Sequence, residues 1–199
     1  MQQAHPKLVT FVLGGARSGK SRFAQKIASG FANVAFIATA TPSDPEMELR
    51  IERHRKSRPA SWHTLEMPLD LDVAISGLQD AKQLAVIDCL TVYLANVVSK
   101  TQGKESAIRE SMERLCSALV KVKSSVIVVS NEVGSGIHAP TQIGRLYTDL
   151  LGELNQKVAA LAANVILMVA GIPVPIKGNL PIQAQSGSKS RSEVLIATR

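Results

Sequence analysis

Cysteine is scarce in this chain, with only Cys89 and Cys116 among 199 residues. That excludes a disulfide framework and a four-thiolate metal site, and it points to a reducing compartment, the cytoplasm. Aromatic residues make up 4%, too few for the stacking surfaces that single-stranded nucleic acids need. No apolar run approaches the length of a membrane span, and the longest, Val165 to Ala170, is the length of a strand. The start, Met1 to Pro6, has no basic segment leading into an apolar core, so no secretory signal is expected. The Asn-Lys-x-Asp sequence of switch GTPases is also missing. The chain does have a 45% hydrophobic fraction, enough for one domain with a sizeable core. Its net charge of +7 is unevenly placed. Arg50, Arg53, Arg55, Lys56 and Arg58 face only Glu52 in one short segment. A second excess, Lys177, Lys189, Arg191 and Arg199 against Glu193, lies at the end of the chain. With few aromatics and no nucleic-acid motif, small polyphosphate molecules are the expected partners.

Hydrophobic periodicity alternates between strand and helix along the chain. Short β-branched runs at Leu8–Leu13, Val34–Thr39, Leu84–Cys89, Val126–Ser130 and Val165–Ala170 read as buried strands, with a shorter one at Thr64–Met67. Helical spacing covers Lys20–Ser29, Val92–Ser99, Glu105–Val122 and Thr141–Ala162. Ser43-Asp44-Pro45-Glu46 reads as a capped helix start, and Pro59 sets the helix end near Ser57. Such alternation predicts an α/β fold, a mostly parallel sheet covered by helices. Residues 1–177 form one domain in this reading, and 178–199 a polar, basic tail with one extended piece at Val194–Ala197.

Gly14-Gly15-Ala16-Arg17-Ser18-Gly19-Lys20-Ser21 fits the phosphate-binding pattern G-x-x-x-x-G-K-[ST] between a strand and a helix. Glycines let backbone N–H groups curl around a phosphate, and the helix N-terminus adds partial positive charge. Lys20 then reaches the β- and γ-phosphates, and Ser21 offers an oxygen to Mg²⁺. Asp88 ends an apolar strand, where a metal-side carboxylate belongs. Glu132 follows another strand at the same edge and is a second candidate for ordering water or metal. These parts alone also suit a single-activity small-molecule kinase.

His54 does not fit that simpler picture. Helical spacing puts Arg50, His54 and Arg58 on one side, and neighbouring cations disfavour imidazolium. A neutral ring nitrogen in a cationic cradle suits attack on a nucleotide α-phosphate. His63 follows Trp62 and reads as a packing residue, while His5 and His138 have no comparable setting.

The glycine loop, Ile37-Ala38-Thr39-Ala40, Arg50–Pro59, Asp88-Cys89-Leu90-Thr91 with Asn96, Ser130-Asn131-Glu132-Val133-Gly134, and Gly171-Ile172-Pro173 through Lys177 occur in that order. Together they resemble the bifunctional adenosylcobinamide kinase/adenosylcobinamide-phosphate guanylyltransferases of cobalamin synthesis, over roughly Leu8 to Lys177. The resemblance implies a RecA-like P-loop fold, a homotrimer and two reactions. ATP or GTP phosphorylates adenosylcobinamide. GTP then guanylylates a histidine, which passes GMP to the cobinamide phosphate. That histidine falls on His54, with Lys20 as the other catalytic residue. Nucleotide contacts fall on Gly14 to Ser21, Ala38-Thr39-Ala40, Arg55-Lys56-Ser57-Arg58, Glu66 and Asp88, with Mg²⁺ on Ser21 and Asp88. A carboxylate at Glu66 can accept both N1–H and N2–H of guanine. The segment Thr41–Pro59 is expected to close over the site so that His54 reaches the α-phosphorus. Two departures stand out: Tyr93 sits where many relatives carry Trp, and the tail runs past the usual family end.

Overall fold

The computed structural model describes residues 8–42, 44–81, 83–134, 136 and 139–181. The elements in chain order are β1 (Val9–Gly14), α1 (Lys20–Ala28), β2 (Val34–Ala38), α2 (Pro45–Lys56), β3 (His63–Glu66), α3 (Leu71–Ser76), β4 (Leu84–Asp88), α4 (Leu90–Lys100), α5 (Glu105–Lys121), β5 (Ser125–Val129), α6 (Gln142–Leu161), β6 (Asn164–Val169) and β7 (Ile172–Lys177). They build one sheet in the order β3-β2-β4-β5-β1-β6-β7. Every pairing is parallel except that of β7 with β6. The expected mostly parallel sheet is therefore the one observed, and the carboxyl ends of β1 to β6 share one edge.

Alternation along each strand divides the core into two layers. Phe11, Ala35, Ile37, Ile87 and Val128 face α3, α4, α5 and α6, whose buried stripes include Leu94, Leu115 and Leu154. Val12, Phe36, Val86, Ile127 and Ile166 face the other way, against Phe23, Ala24 and Ile27 of α1. Both faces are covered, which is why the strands read as continuous apolar runs.

Two elements differ from the sequence expectations. Residues 172–177, to which the sequence reading assigned no element, form β7, an antiparallel edge strand. Pro173 and Pro175 hide it from a strand reading, yet prolines are tolerated at an edge because fewer ladder donors are needed there. The single turn-and-a-half of α3 is too short to show helical periodicity. Lys177 closes β7 and donates from Nζ to the carbonyls of Ala159 and Ala160, each at 3.0 Å, capping α6 from outside. Beyond it, Asn179 N donates to Asn164 Oδ1 at 3.0 Å. The expected piece at Val194–Ala197 lies outside the described residues, as do Ser43 and His138.

Helix α2 is built differently from the rest. None of its described side chains is buried. Its start is fixed by Asp44, whose Oδ1 accepts the Met47 N–H at 2.8 Å, with Pro45 in the first turn. A helix without an apolar anchor depends on such local contacts. Asp44→Ala is therefore expected to weaken α2 by about 1 kcal/mol. Amide hydrogen exchange should show this as faster exchange across Met47 to Ile51, with the β-strand amides unchanged.

Candidate active site

The glycine loop leaves β1 at Gly14 and enters α1 at Lys20. Gly14 has φ 149°, and a Cβ there would lie 2.8 Å from Ser18 Oγ and 2.5 Å from the Met168 carbonyl, so only glycine fits. Gly19, at φ 96°, makes the second reversal as the residue before α1. Arg17 is left-handed at φ 58° on the exposed tip, beside exposed Gly15 and Ala16. Ser18 N donates to Gly15 O at 3.3 Å, closing the turn, and Ser18 O accepts Gly171 N at 3.0 Å from the β6–β7 connection. Lys20 is 7% exposed, with Nζ held across the loop 2.5 Å from Gly15 O and 3.4 Å from Ser18 Oγ.

Ser21 Oγ donates to Asp88 Oδ1 at 3.2 Å, so the loop and the end of β4 are already in contact. Burial pushes the Asp88 carboxyl above the usual carboxylate range, against the Ser21 hydrogen bond and the charges of His54, Arg58 and Lys20. On its other side, Asp88 Oδ2 lies 4.0 Å from His54 Nδ1. His54 thus lies beside the same carboxylate that Ser21 of the phosphate loop engages. What faces the ring is a carboxylate from β4, a neighbour that charge spacing along α2 does not reveal.

The expected stack of Arg50, His54 and Arg58 on one helix face needs correction at its far end. α2 stops at Lys56, and Arg58 lies beyond it because Pro59 disfavours helical geometry there. The Arg58 guanidinium instead sits 3.9 Å from the centre of the Phe36 ring, which Trp62 flanks at 6.2 Å between centroids. Burial lowers the Arg58 pKa, and Asp88 opposes that shift. Trp62 is the packing residue of its segment, whereas His63, read as packing, is exposed on β3. Phe36 and Trp62 were not expected at the site, because their aromatic contact joins residues distant in sequence.

Arg55 pairs with Glu66 at the end of β3, and both are exposed. Lys56 is turned away, 75% exposed, and pairs with Glu52 one helical turn back at 2.6 Å. Ser57 Oγ donates to His54 O at 2.9 Å. The Thr39 side chain is fully buried and engaged with Cys89, donating to its carbonyl at 2.8 Å and accepting its N–H at 2.9 Å. Asn96 Nδ2 ties the same segment down through Thr39 O at 2.9 Å and Pro68 O at 3.0 Å. Between Ala38 and Ala40, any nucleotide contact falls to backbone and methyl groups.

A family model described as cobinamide kinase / cobinamide phosphate guanyltransferase matches residues 10–176. The chain belongs to this family. A Pseudomonas aeruginosa protein named bifunctional adenosylcobalamin biosynthesis protein CobP is 41% identical, covering 84% of this chain and 96% of that one. The bifunctional adenosylcobalamin biosynthesis protein CobU of Escherichia coli K12 is 35% identical, over 85% of this chain and all of its own length. The fold extends further than the family. A protein from Pyrococcus horikoshii OT3 of known structure aligns with a TM-score of 0.53 at 7% identity, over 89% of this chain and 90% of that one. The matched residues take in the glycine loop, α2 with His54, Asp88 and the seven strands but for Val9 and Lys177, so the cobinamide kinase/guanyltransferase family is the frame for the site described above.

Proposed function

We propose that this chain phosphorylates the aminopropanol hydroxyl of adenosylcobinamide with ATP or GTP, then transfers GMP from GTP through His54 to the adenosylcobinamide phosphate. The products are adenosyl-GDP-cobinamide and pyrophosphate. One observation carries the covalent step: His54 Nδ1 lies 4.0 Å from Asp88 Oδ2, and the other oxygen of that carboxylate is bound by Ser21 of the phosphate loop. A histidine with no structural duty in the core is thereby held at the mouth of a triphosphate site.

Loop amides and Lys20 hold the β- and γ-phosphates in both reactions. β1, β5 and β4 are consecutive in the sheet, so a triphosphate anchored at β1 needs to reach about 10 Å sideways to meet His54 above β4. Nδ1 faces Asp88, which leaves Nε2 as the attacking atom. Nε2 bonds to the α-phosphorus as the bond from that phosphorus to the bridging oxygen of pyrophosphate breaks. A phosphate oxygen of the cobinamide phosphate then attacks the same phosphorus, the P–N bond breaks, and the imidazole is restored. In this reading Glu66, which pairs with Arg55, accepts guanine N–H groups.

Ser21 Oγ and Asp88 Oδ1 are two hard oxygen donors 3.2 Å apart, and they fit a magnesium ion that takes its other ligands from phosphate and water. When bound, that ion neutralises phosphate charge. Among the described residues no helix is long and apolar enough to cross a membrane. Both thiols, Cys89 and Cys116, are free, which suits the cytoplasm.

The test is incubation with α-labelled GTP and Mg²⁺. An acid-labile, base-stable adduct on His54 is expected, and unlabelled protein would refute the guanylyl half. A homotrimer is part of the same reading. It is supported by the apolar strip at the sheet edge, where Val169, Ile172 and Ile176 are 52%, 64% and 60% exposed. Light scattering should give three times the chain mass, falling toward one for the double variant Ile172→Asp, Ile176→Asp.

A further inference from the structure

We propose that Glu132 is the base that orients and deprotonates the acceptor hydroxyl during phosphoryl transfer. The inference rests on the kinase half of the reading above and assigns a residue that half leaves open.

β5 is the strand between β4 and β1, so its carboxyl end separates Asp88 from the phosphate loop. The chain leaving it is clamped at each residue. Ser130 N donates to Val12 O at 3.0 Å, and Glu132 N donates to Gly14 O, the first carbonyl of the loop, at 3.1 Å. Asn131 N donates to Thr91 Oγ1 of α4 at 2.8 Å, and Asn131 O accepts Asn155 Nδ2 of α6 at 3.1 Å. Tyr147 OH, donating to Thr91 O at 3.0 Å, holds that clamp from the far side. This bracing fixes the position of Glu132 relative to Gly14.

The carboxylate itself is exposed. Oε1 accepts Gly134 N at 3.0 Å, which fixes the side chain in a tight turn. Among the described residues no cation pairs with it, and Oε2 has no hydrogen-bond donor. An unpaired carboxylate beside a loop that collects phosphates repels the very ligand the loop binds. Its presence there calls for chemistry, and the chemistry a fixed acceptor oxygen supplies is proton removal. Ser130 Oγ, fully buried at the same strand end, also finds no partner among the described residues. In the step, the hydroxyl proton passes to Glu132 Oε2. The hydroxyl oxygen bonds to the γ-phosphorus, the bond from that phosphorus to the β-γ bridging oxygen breaks, and the nucleoside diphosphate leaves.

The experiment compares wild type, Glu132→Gln and Glu132→Asp in cobinamide phosphorylation, with GMP labelling of His54 measured on the same preparations. Gln keeps an oxygen for Gly134 N but cannot take the proton. Its kcat should fall about 100-fold with little change in the nucleotide KM, and Asp should recover part of the loss. Labelling should persist in all three. A Gln variant with near wild-type kcat overturns the proposal. So does recovery by raised Mg²⁺, which would make Glu132 a metal ligand, or joint loss of both reactions, which would make it structural. Wild-type protein that does not phosphorylate cobinamide overturns the kinase reading beneath, and this inference with it.

Discussion

His54→Ala protein takes up no covalent GMP from GTP yet still phosphorylates cobinamide. This is the expected result because the two reactions use one phosphate loop but different nucleophiles. The loop amides, Lys20, Ser21 and Asp88 are untouched by the substitution. Among the described residues, the interaction lost inside the site is the 4.0 Å approach of Nδ1 to Asp88 Oδ2. His54 is 39% exposed in its side chain and lies outside both apolar core clusters, so truncation leaves no cavity in either core layer. Loss of labelling therefore reports the missing nitrogen and not an unfolded helix. His54→Gln tests the point from the other side, since it fills similar space without a nucleophilic nitrogen. Labelling in either variant would move the nucleophile elsewhere and leave a kinase alone. Loss of phosphorylation as well would mean that the ring serves Asp88 in both steps.

Much of this site was visible in the sequence because its parts are local. The glycine loop carries its whole chemistry in consecutive residues, and the strand before and helix after it follow from short-range periodicity. Asp88 was legible as the polar end of an apolar strand. The cap at Asp44 and the stop near Pro59 were written in single residues. What was not legible depends on pairing between distant segments. The contact of His54 with Asp88 exists because β4 lies beside β2 in the sheet while α2 crosses above, and neither strand order nor that crossing is encoded in spacing. The same holds for Arg58, whose resting place on Phe36 requires β2 to present that ring at the site. The resemblance puts a nucleotide contact on Thr39, and its hydroxyl is engaged by the backbone of Cys89, just past the end of the neighbouring strand, a pairing that spacing does not reveal. β7 was missed for a different reason, because its prolines contradict strand propensity and only its position at the edge makes them harmless.

Lys20→Met removes both activities together, which separates it from the His54 variants. Its Nζ is the one loop cation brought inward, 7% exposed and 2.5 Å from Gly15 O. A phosphate in the loop displaces that internal contact with a charge-assisted one. Removing a single preorganised donor to a reacting oxyanion costs about 100- to 1,000-fold in kcat. Both transfers bear on phosphates that Lys20 holds. In phosphorylation it stabilises charge on the transferred group, and in guanylylation on the departing pyrophosphate. Cobinamide phosphorylation and GMP labelling should therefore each fall by about that factor, and in parallel. Lys20→Arg should not rescue either, because a planar guanidinium is wider than the ammonium and meets Gly15 and Ser18 where the ammonium now fits. Single-turnover rates for the two steps, measured side by side, decide the matter. If labelling survives while phosphorylation is lost, GTP meets His54 without its pyrophosphate in the loop, and the shared phosphate site must be divided in two.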